Sequence, residues 1–349
     1  MTYESTEKPF VLHFPYGTDQ AKIESALHRK AIELAGDYPK MSITVYGLAS
    51  AVRTMDNTAV PLTDDKLKNM AFVVAEYNPA VDTAVKIRFL NRDFEQLKPQ
   101  AEAGANLVRT ALTAYISQNG HPPESLELLT GNYPDNYISE IPLEPATGSA
   151  LVRTGFDGSG GWVYNNKGED VSRMFYPNFI YETLHEGEPR GESDAVVPFS
   201  PYRIVMDPAA HRLQLEAGQV VLADASIGAG REGHRTPEGE YTIGTRVRSP
   251  QGKRPGVYGD AALGMGDLAI HGTSDPDSIG KDASLGCIRV GDADMAKLFQ
   301  LTPRGTQVLV SRGALRDTGR ATDSSSLPAF PERQRAGETA GMTVFHWLG

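Results

Sequence analysis

Two short stretches have the residue types for joint chemistry: Ala269-Ile270-His271-Gly272-Thr273 and Ser284-Leu285-Gly286-Cys287-Ile288-Arg289-Val290, with Cys287 sixteen residues after His271. Acyl transfer by a thiol needs a thiolate, an imidazole to take its proton, and backbone N–H groups aimed at the developing oxyanion. The spacing supplies all three. An apolar strand end holds His271, the intervening Gly- and Asp-rich loop is long enough to fold back, and Gly286 lets the chain turn tightly so that the N–H of Cys287 and its neighbours face a substrate carbonyl. Cys287 is the only cysteine in the 349-residue chain. An intramolecular disulfide and a cysteine-based zinc site are therefore excluded, which leaves an apolar filler, an accident of sequence or a nucleophile. The neighbouring Gly286 and Arg289 and the upstream His271 favour the nucleophile. No His, Asp or Glu group has ligand spacing, so neither a metal nor a cofactor is expected. His13, His28, His211 and His234 read as surface or packing residues, with His234 placed to line a cleft.

The elements that must position this pair are mostly strands. Between residues 200 and 312 the sequence alternates over Tyr202 to Met206, turns at Asp207 to Ala210, and continues in short apolar runs at Leu213 to Leu215, Val220 to Ala225 and Gly239 to Ile243. A helix is expected over Asp292 to Phe299. Thr236, Pro237 and Gly239 read as loop-shaping residues near the site. The pattern is that of a mostly antiparallel sandwich.

Upstream, residues 1–94 read as a small α/β unit, with strands over Met41 to Tyr46 and Ala84 to Leu90 and amphipathic helices over Gln20 to Ala35 and Asp64 to Tyr77. Residues 95–185 open with a long helix, Phe94 to Gln118, that ends at Asn119-Gly120; a β-hairpin with its turn at Asn165 to Gly168 is expected later in the segment. Residues 186–199 have a linker's acids, prolines and glycines, and residues 314–349 read as a polar tail, mobile or draped over the surface, whose last residues MTVFHWLG could dock as an apolar plug. With a catalytic segment at 200–313, the fold class is multidomain α+β.

Composition bounds the function. The chain is 40% hydrophobic, 22% charged and carries a net charge of -10, which speaks against a nucleic-acid partner because phosphate binding needs a basic face. Residues 200 to 312 are balanced at 13 basic and 13 acidic residues, so the whole acidic excess lies elsewhere. No run reaches the roughly 18 to 20 apolar residues that cross a bilayer, and the opening MTYESTEKPFVLHF shows no export signal.

The segment at about 200–312 resembles the L,D-transpeptidase catalytic domain, also called the YkuD domain, through ordered blocks: YRIVMDPAAHRLQLEAGQVV, SIGAGREGHRTPEGEYTI, LAIHGT, SLGCIRV and DADMAKLFQLTPRGTQVLV. The resemblance implies Cys287 as nucleophile, His271 as general base, Gly286 with Cys287 as oxyanion donors, Gly272 supplying a carbonyl that orients the imidazole, Arg289 as an anchor for substrate or loop, and Ser284, at the family's Ser/Thr position, as a second substrate-binding residue. Leu285 stands where many members carry histidine. Residues 95–185 resemble, through softer motifs, the soluble part of type II secretion pseudopilins and type IV pilins: AYISQNG, Ile141-Pro142 before Pro145-x-x-Gly148, and Gly161-Trp162-x-Tyr164-Asn165. An apolar N-terminal helix directly upstream, which pilins carry, is missing.

The implied partners are peptidoglycan stem peptides, and secretion or pilus components for the pilin-like segment. The implied activity is attack on the carbonyl of the third stem residue, release of D-alanine, and transfer of the acyl group to an amine. Three alternatives stand beside it: an L,D-carboxypeptidase, an effector hydrolase delivered to rival cells, and a non-catalytic envelope or secretion-system component that binds peptidoglycan. The substrate's location implies a periplasmic or envelope site, with any signal or anchor absent from this chain.

Overall fold

The structure is a computed structural model that describes residues 10–15, 18–50, 71–90, 94–158, 160–181, 191–316, 326–332 and 336–348. The chain divides into two compact units, the first formed by Met1–Lys98, Leu143–Tyr164 and Tyr176–Val197, the second by Pro99–Pro142, Asn165–Phe175 and Pro198–Gly349. The pilin-like segment 95–185 is thus shared between the units rather than forming one of its own.

In the first unit, β1 (Phe10–Pro15), β2 (Ile43–Ser50), β3 (Val73–Tyr77) and β4 (Lys86–Phe89) make a sheet in that order, with β1 and β2 parallel. A parallel pair needs a crossover, and α1 (Gln20–Asp37) supplies it. Asp19 starts the helix by accepting from the N–H groups of Ala21 (3.0 Å) and Lys22 (3.2 Å). Its Ile23, Leu27, Ala31 and Leu34 then lie on one face against Val45, Val73 and Ala75. The helix expected over 64–77 is corrected at its described end, where Val73–Tyr77 is a strand; residues 64–70 lie outside the described part. Val73 and Val74 are β-branched, and pairing to β2 on one side and β4 on the other overrides the three- and four-residue spacing. Residues 191–199, expected as linker, include α2 (Glu192–Ala195), whose Ala195 packs with Val163, Tyr176 and Ile180.

The second unit opens with α3 (Lys98–Asn119), buried almost all round from Ala101 to Leu112. Arg109 on this helix reaches the carbonyls of Phe175 (2.6 Å) and Ser172 (2.9 Å), and Gly120, at φ 79°, ends it. The expected hairpin is half correct. The chain turns at Asn165 to Gly168, but Asp170 then caps a short helix at Val171–Met174 before the strand Phe175–Pro177 begins.

The catalytic segment builds one curled ten-stranded sheet. Its strands are β5 (Tyr202–Asp207), β6 (Arg212–Ala217), β7 (Val220–Gly230), β8 (Gly239–Thr242), β9 (Thr245–Arg248), β10 (Ala261–Met265), β11 (Leu268–His271), β12 (Asp282–Ser284), β13 (Ile288–Val290) and β14 (Gln307–Val310). The path runs β8-β14-β5-β6-β7-β13-β11-β10-β9, with β12 attached to β7. Most neighbours are antiparallel; β14 with β5, β11 with β13 and β7 with β12 are parallel. Asp207 closes the β5–β6 hairpin by accepting from the N–H groups of Ala209 (2.9 Å) and Ala210 (3.1 Å). The eleven-residue β7 pairs with β6 up to Ser226 and with β13 from Ile227. That change of partner carries the sheet round and places β13, which Cys287 precedes, beside β11, which ends in His271. Helix α4 (Asp292–Leu301) packs behind through Met295, Leu298 and Phe299.

Residues 336–348 lie along this sheet as a strap, bridging in parallel from Thr339 to Arg248 and from Val344 to Gln251. The strap is fastened at Glu338, whose carboxylate pairs with the fully buried Arg246 (3.2 Å) and with Arg248 (3.0 Å) and accepts from Ser139 Oγ (2.9 Å).

Candidate active site

The nucleophile loop is locked by its own hydroxyls. Ser284, 1% exposed, donates to the Cys287 carbonyl (2.6 Å) and accepts the Gly286 N–H (3.1 Å). Thr236 donates to the Gly286 carbonyl (2.9 Å) while accepting the Gly230 N–H (3.0 Å). Gly286 sits at φ 134°, a backbone conformation that a Cβ penalises, so glycine is required there by conformation rather than by space. Two sequence expectations shift as a result. Ser284 faces inward as a brace of the loop rather than toward a ligand, and the Gly286 N–H is already taken, which leaves the Cys287 N–H as the amide that can serve an oxyanion.

His271 ends β11, which pairs in parallel with β13 so that Ile270 faces Ile288 and His271 faces Arg289. Its Nδ1 lies 2.6 Å from the Gly272 carbonyl. A carbonyl only accepts, so the ring carries its proton on Nδ1 and presents a lone pair at Nε2. A Cβ at Gly272 would stand 2.6 Å from Asp292 Oδ1 and would push that carboxylate off the Thr273 N–H it accepts (3.2 Å). Two residues back along β11, the Ala269 N–H donates to Cys287 Sγ (3.3 Å).

Thiol and imidazole are brought to one place but are both neutral. Cys287 and His271 are each 0% exposed. Burial pushes the thiol up to about 12, against the opposing pull of the Ala269 N–H and the Arg289 charge. Burial, with Arg289 adding to it, pushes the imidazole down to about 4. No hydrogen bond joins them: His271 Nε2 is buried without a partner. The imidazole that the sequence reading expects to take the thiol proton is therefore not hydrogen-bonded to the thiol here. Arg289 contacts Asp275 (3.6 Å), not the neighbouring Asp292 or Asp294, and its Nε is buried without a partner.

The seal over Cys287 and His271 comes from Tyr258, which the sequence did not single out, and from Trp347 and Leu348 in the final MTVFHWLG stretch, which was expected to dock as an apolar plug. Tyr258 stands edge-on to the His271 ring (5.1 Å) and to the Trp347 ring (5.1 Å), and its hydroxyl donates to the Trp347 carbonyl (2.9 Å). The Cys287 N–H donates to the Leu348 carbonyl (2.8 Å). Tyr258 lies between Gly256 and Gly259 in a loop with no periodicity and leaves no local signal; the apolar end of the strap is visible in sequence, but its docking place, some sixty residues from Cys287, is not. His211 is held by Asp282 (2.9 Å) and His234 is exposed. Among the described residues no cluster of three or more ligating side chains could hold a metal, and no helix is long and apolar enough to cross a membrane. A cleft of about 570 Å³ bounded by Thr113, Tyr137 and Arg304 includes neither Cys287 nor His271.

Comparison with known proteins converges on the same segment. Residues 201–310 match YkuD, the L,D-transpeptidase catalytic domain. The putative L,D-transpeptidase YkuD of Bacillus subtilis (strain 168) is 38% identical over 112 residues, which is 32% of this chain and 67% of that protein. The putative L,D-transpeptidase YqjB of the same organism is 29% identical over 138 residues, covering 35% of this chain and 77% of that one. A solved L,D-transpeptidase of Mycobacterium tuberculosis H37Rv shares 21% identity at a TM-score of 0.30, over 33% of this chain and 59% of that one. The chain spans about two thirds of the two YkuD relatives, 67% and 66%, and 59% of that mycobacterial chain. Through residues 201–310 the chain belongs to the YkuD family of L,D-transpeptidase catalytic domains.

Proposed function

We propose that the protein is a cysteine-dependent L,D-transpeptidase acting on peptidoglycan stem peptides. The observation that supports this best is the chain's single thiol at the start of β13, beside the strand that ends in His271, whose Nδ1 is fixed by the Gly272 carbonyl and whose Nε2 lone pair is unclaimed. In the open site His271 Nε2 takes the thiol proton and the sulfur attacks the carbonyl of the third stem residue. The Cys287 N–H holds the oxyanion. Collapse breaks the bond to D-alanine, whose amine leaves with the proton from His271, and a thioester remains. An amine of a neighbouring stem, a protein lysine or a free D-amino acid then attacks the thioester, and the thiol is restored. Arg289, whose charge favours the thiolate, poises the sulfur, while Ser284 and Thr236 hold the loop. Such a substrate places the protein in the periplasm or cell envelope.

The reading is tested by incubating the protein with a disaccharide tetrapeptide and following D-alanine and cross-linked products. D-alanine release with 3-3 cross-links supports transfer; release without them makes the protein an L,D-carboxypeptidase. Insoluble peptidoglycan bound without turnover would leave only the non-catalytic alternative.

A further inference from the structure

We propose that residues 343–348 are a built-in occupant of the acyl-donor groove, with the Leu348 carbonyl held where the reacting carbonyl of a peptide substrate sits, so that the site is latent until an extended peptide displaces the strap. The proposal rests on the reading of Cys287 as nucleophile and deepens it.

The Cys287 N–H, left as the oxyanion amide once Ser284 has engaged Gly286, donates to the Leu348 carbonyl at 2.8 Å. The strap is otherwise bound as a substrate peptide would be, by its main chain. The Phe345 N–H donates to the Gln251 carbonyl (2.8 Å), the Leu348 N–H to the Asp267 carbonyl (3.1 Å), and the Trp347 carbonyl accepts from Tyr258 (2.9 Å). These contacts read the main chain and not a side chain, which any peptide can offer. One side chain is read. Trp347 stacks on Phe345 (4.4 Å, 15°) and lies over Gly264, where a Cβ would stand 2.9 Å from its ring.

The strap is firm at one end and weak at the other. Glu338 is 1% exposed and paired to Arg246 and Arg248, whereas Met342, Val344 and Leu348 are 94%, 45% and 46% exposed. Between the two ends Gly341 lies at φ 59°. A buried anchor keeps the tip at high local concentration over the groove, and a tip with so few buried contacts opens at low cost. The groove's ligand class follows from its occupant: an extended peptide whose acyl carbonyl rests on the Cys287 N–H and whose preceding residue covers Gly264 and Tyr258.

The test measures alkylation of Cys287 by iodoacetamide, a probe that needs no peptidoglycan. Three proteins are compared: the full chain, the full chain carrying Trp347→Ala, and a chain ending at Met342, the last two with folding checked by circular dichroism. The expected result is alkylation about tenfold or more faster in both variants than in the full chain. A synthetic peptide of the Thr343–Leu348 sequence, added to the shortened chain, restores protection, and the same peptide with alanine for tryptophan does not. Equal rates in the full chain and the Trp347→Ala protein overturn the proposal. Fast alkylation of the variants with no D-alanine release from a tetrapeptide would sink the transpeptidase reading and leave the strap standing; equal D-alanine release with and without the strap would do the reverse.

Discussion

Two buried polar clusters lie along one strap, and they are completed to different degrees. Around Arg246, each guanidinium nitrogen has a partner: Thr302 and Phe299 carbonyls at 2.8 and 2.7 Å, Ser139 Oγ at 2.8 Å and Glu338 at 3.2 Å, with the Phe299 ring beneath at 4.5 Å. Around His271, Nε2 has none, and Cys287 Sγ has only the Ala269 N–H. The Arg246 cluster also holds buried atoms without a partner, Asn136 Oδ1 and Thr302 Oγ1, but these sit beside a guanidinium whose own nitrogens are all paired, whereas at His271 the unpartnered atom is the one able to take a proton. The Arg246 cluster is a fastening. On the proposed function, the His271 cluster is where the proton is taken.

The contrast sets the order of the expected effects. Cys287→Ala should lower D-alanine release by about 10⁴-fold or more, since removal of a nucleophile abolishes the covalent route, with unfolding by urea nearly unchanged because alanine fits a buried site that makes one weak hydrogen bond. His271→Gln should lower kcat by about 10²- to 10⁴-fold, the range for a positioned general base, and should flatten the pH profile. A normal pH profile in that variant would remove His271 from the mechanism.

Glu338→Ala acts on the other cluster and should reverse the pattern. It leaves the Arg246 charge buried and uncompensated, which costs about 3–5 kcal/mol in urea unfolding, while Cys287 alkylation becomes faster. An unchanged alkylation rate in a folded variant would separate the fastening from the strap.

Acid should open the two clusters at different pH. Burial depresses His271 from 6.5 to about 4 in the folded state, so the stability of its neutral form is complete above 6.5 and is lost as pH falls toward 4. Glu338 is also shifted down, with burial opposing the pull of Arg246, Arg248 and Ser139. Its contribution is complete above the ordinary glutamate value of 4.5 and is lost only below it. Hydrogen exchange followed against pH should show the backbone around Tyr258 and Trp347 loosening first, and the backbone at Thr339 later. Simultaneous opening would contradict the distinction. The smallest effect is expected from Thr236→Val, which unpairs the Gly230 N–H and the Gly286 carbonyl and should cost about 1–3 kcal/mol, with kcat reduced more than KM is changed.

Much of the site was legible because the chemistry dictates residue types in short blocks. His271 before a glycine and Cys287 after one stand out by residue type, and the apolar runs at 202–206, 213–215, 220–225 and 239–243 and the helix at 292–299 match elements of the structure, while the sequence reading gives no range for the strands at 245–248, 261–265, 282–284, 288–290 and 307–310. What escaped was long-range. Val73–Tyr77 carries helical spacing and becomes a strand through two pairings that no local window contains. Arg289 has acids three and five residues ahead yet meets Asp275, because the parallel pairing of β11 with β13 carries the loop after His271 across to it. The closing of the site by Tyr258, Trp347 and Leu348 depends on a polar segment whose only apolar hint is its last few residues. Its anchor, Glu338, is one acid among many in sequence and becomes distinctive only when Arg246 is found buried beside it.

The most direct test is the covalent state of the sulfur. Peptide mapping of the Trp347→Ala protein, quenched in acid during turnover of a disaccharide tetrapeptide, should find the disaccharide-tripeptide acyl group on Cys287, with D-alanine released equal to the adduct plus the product formed. Undiminished D-alanine release from the same protein carrying Cys287→Ala as well would contradict the account.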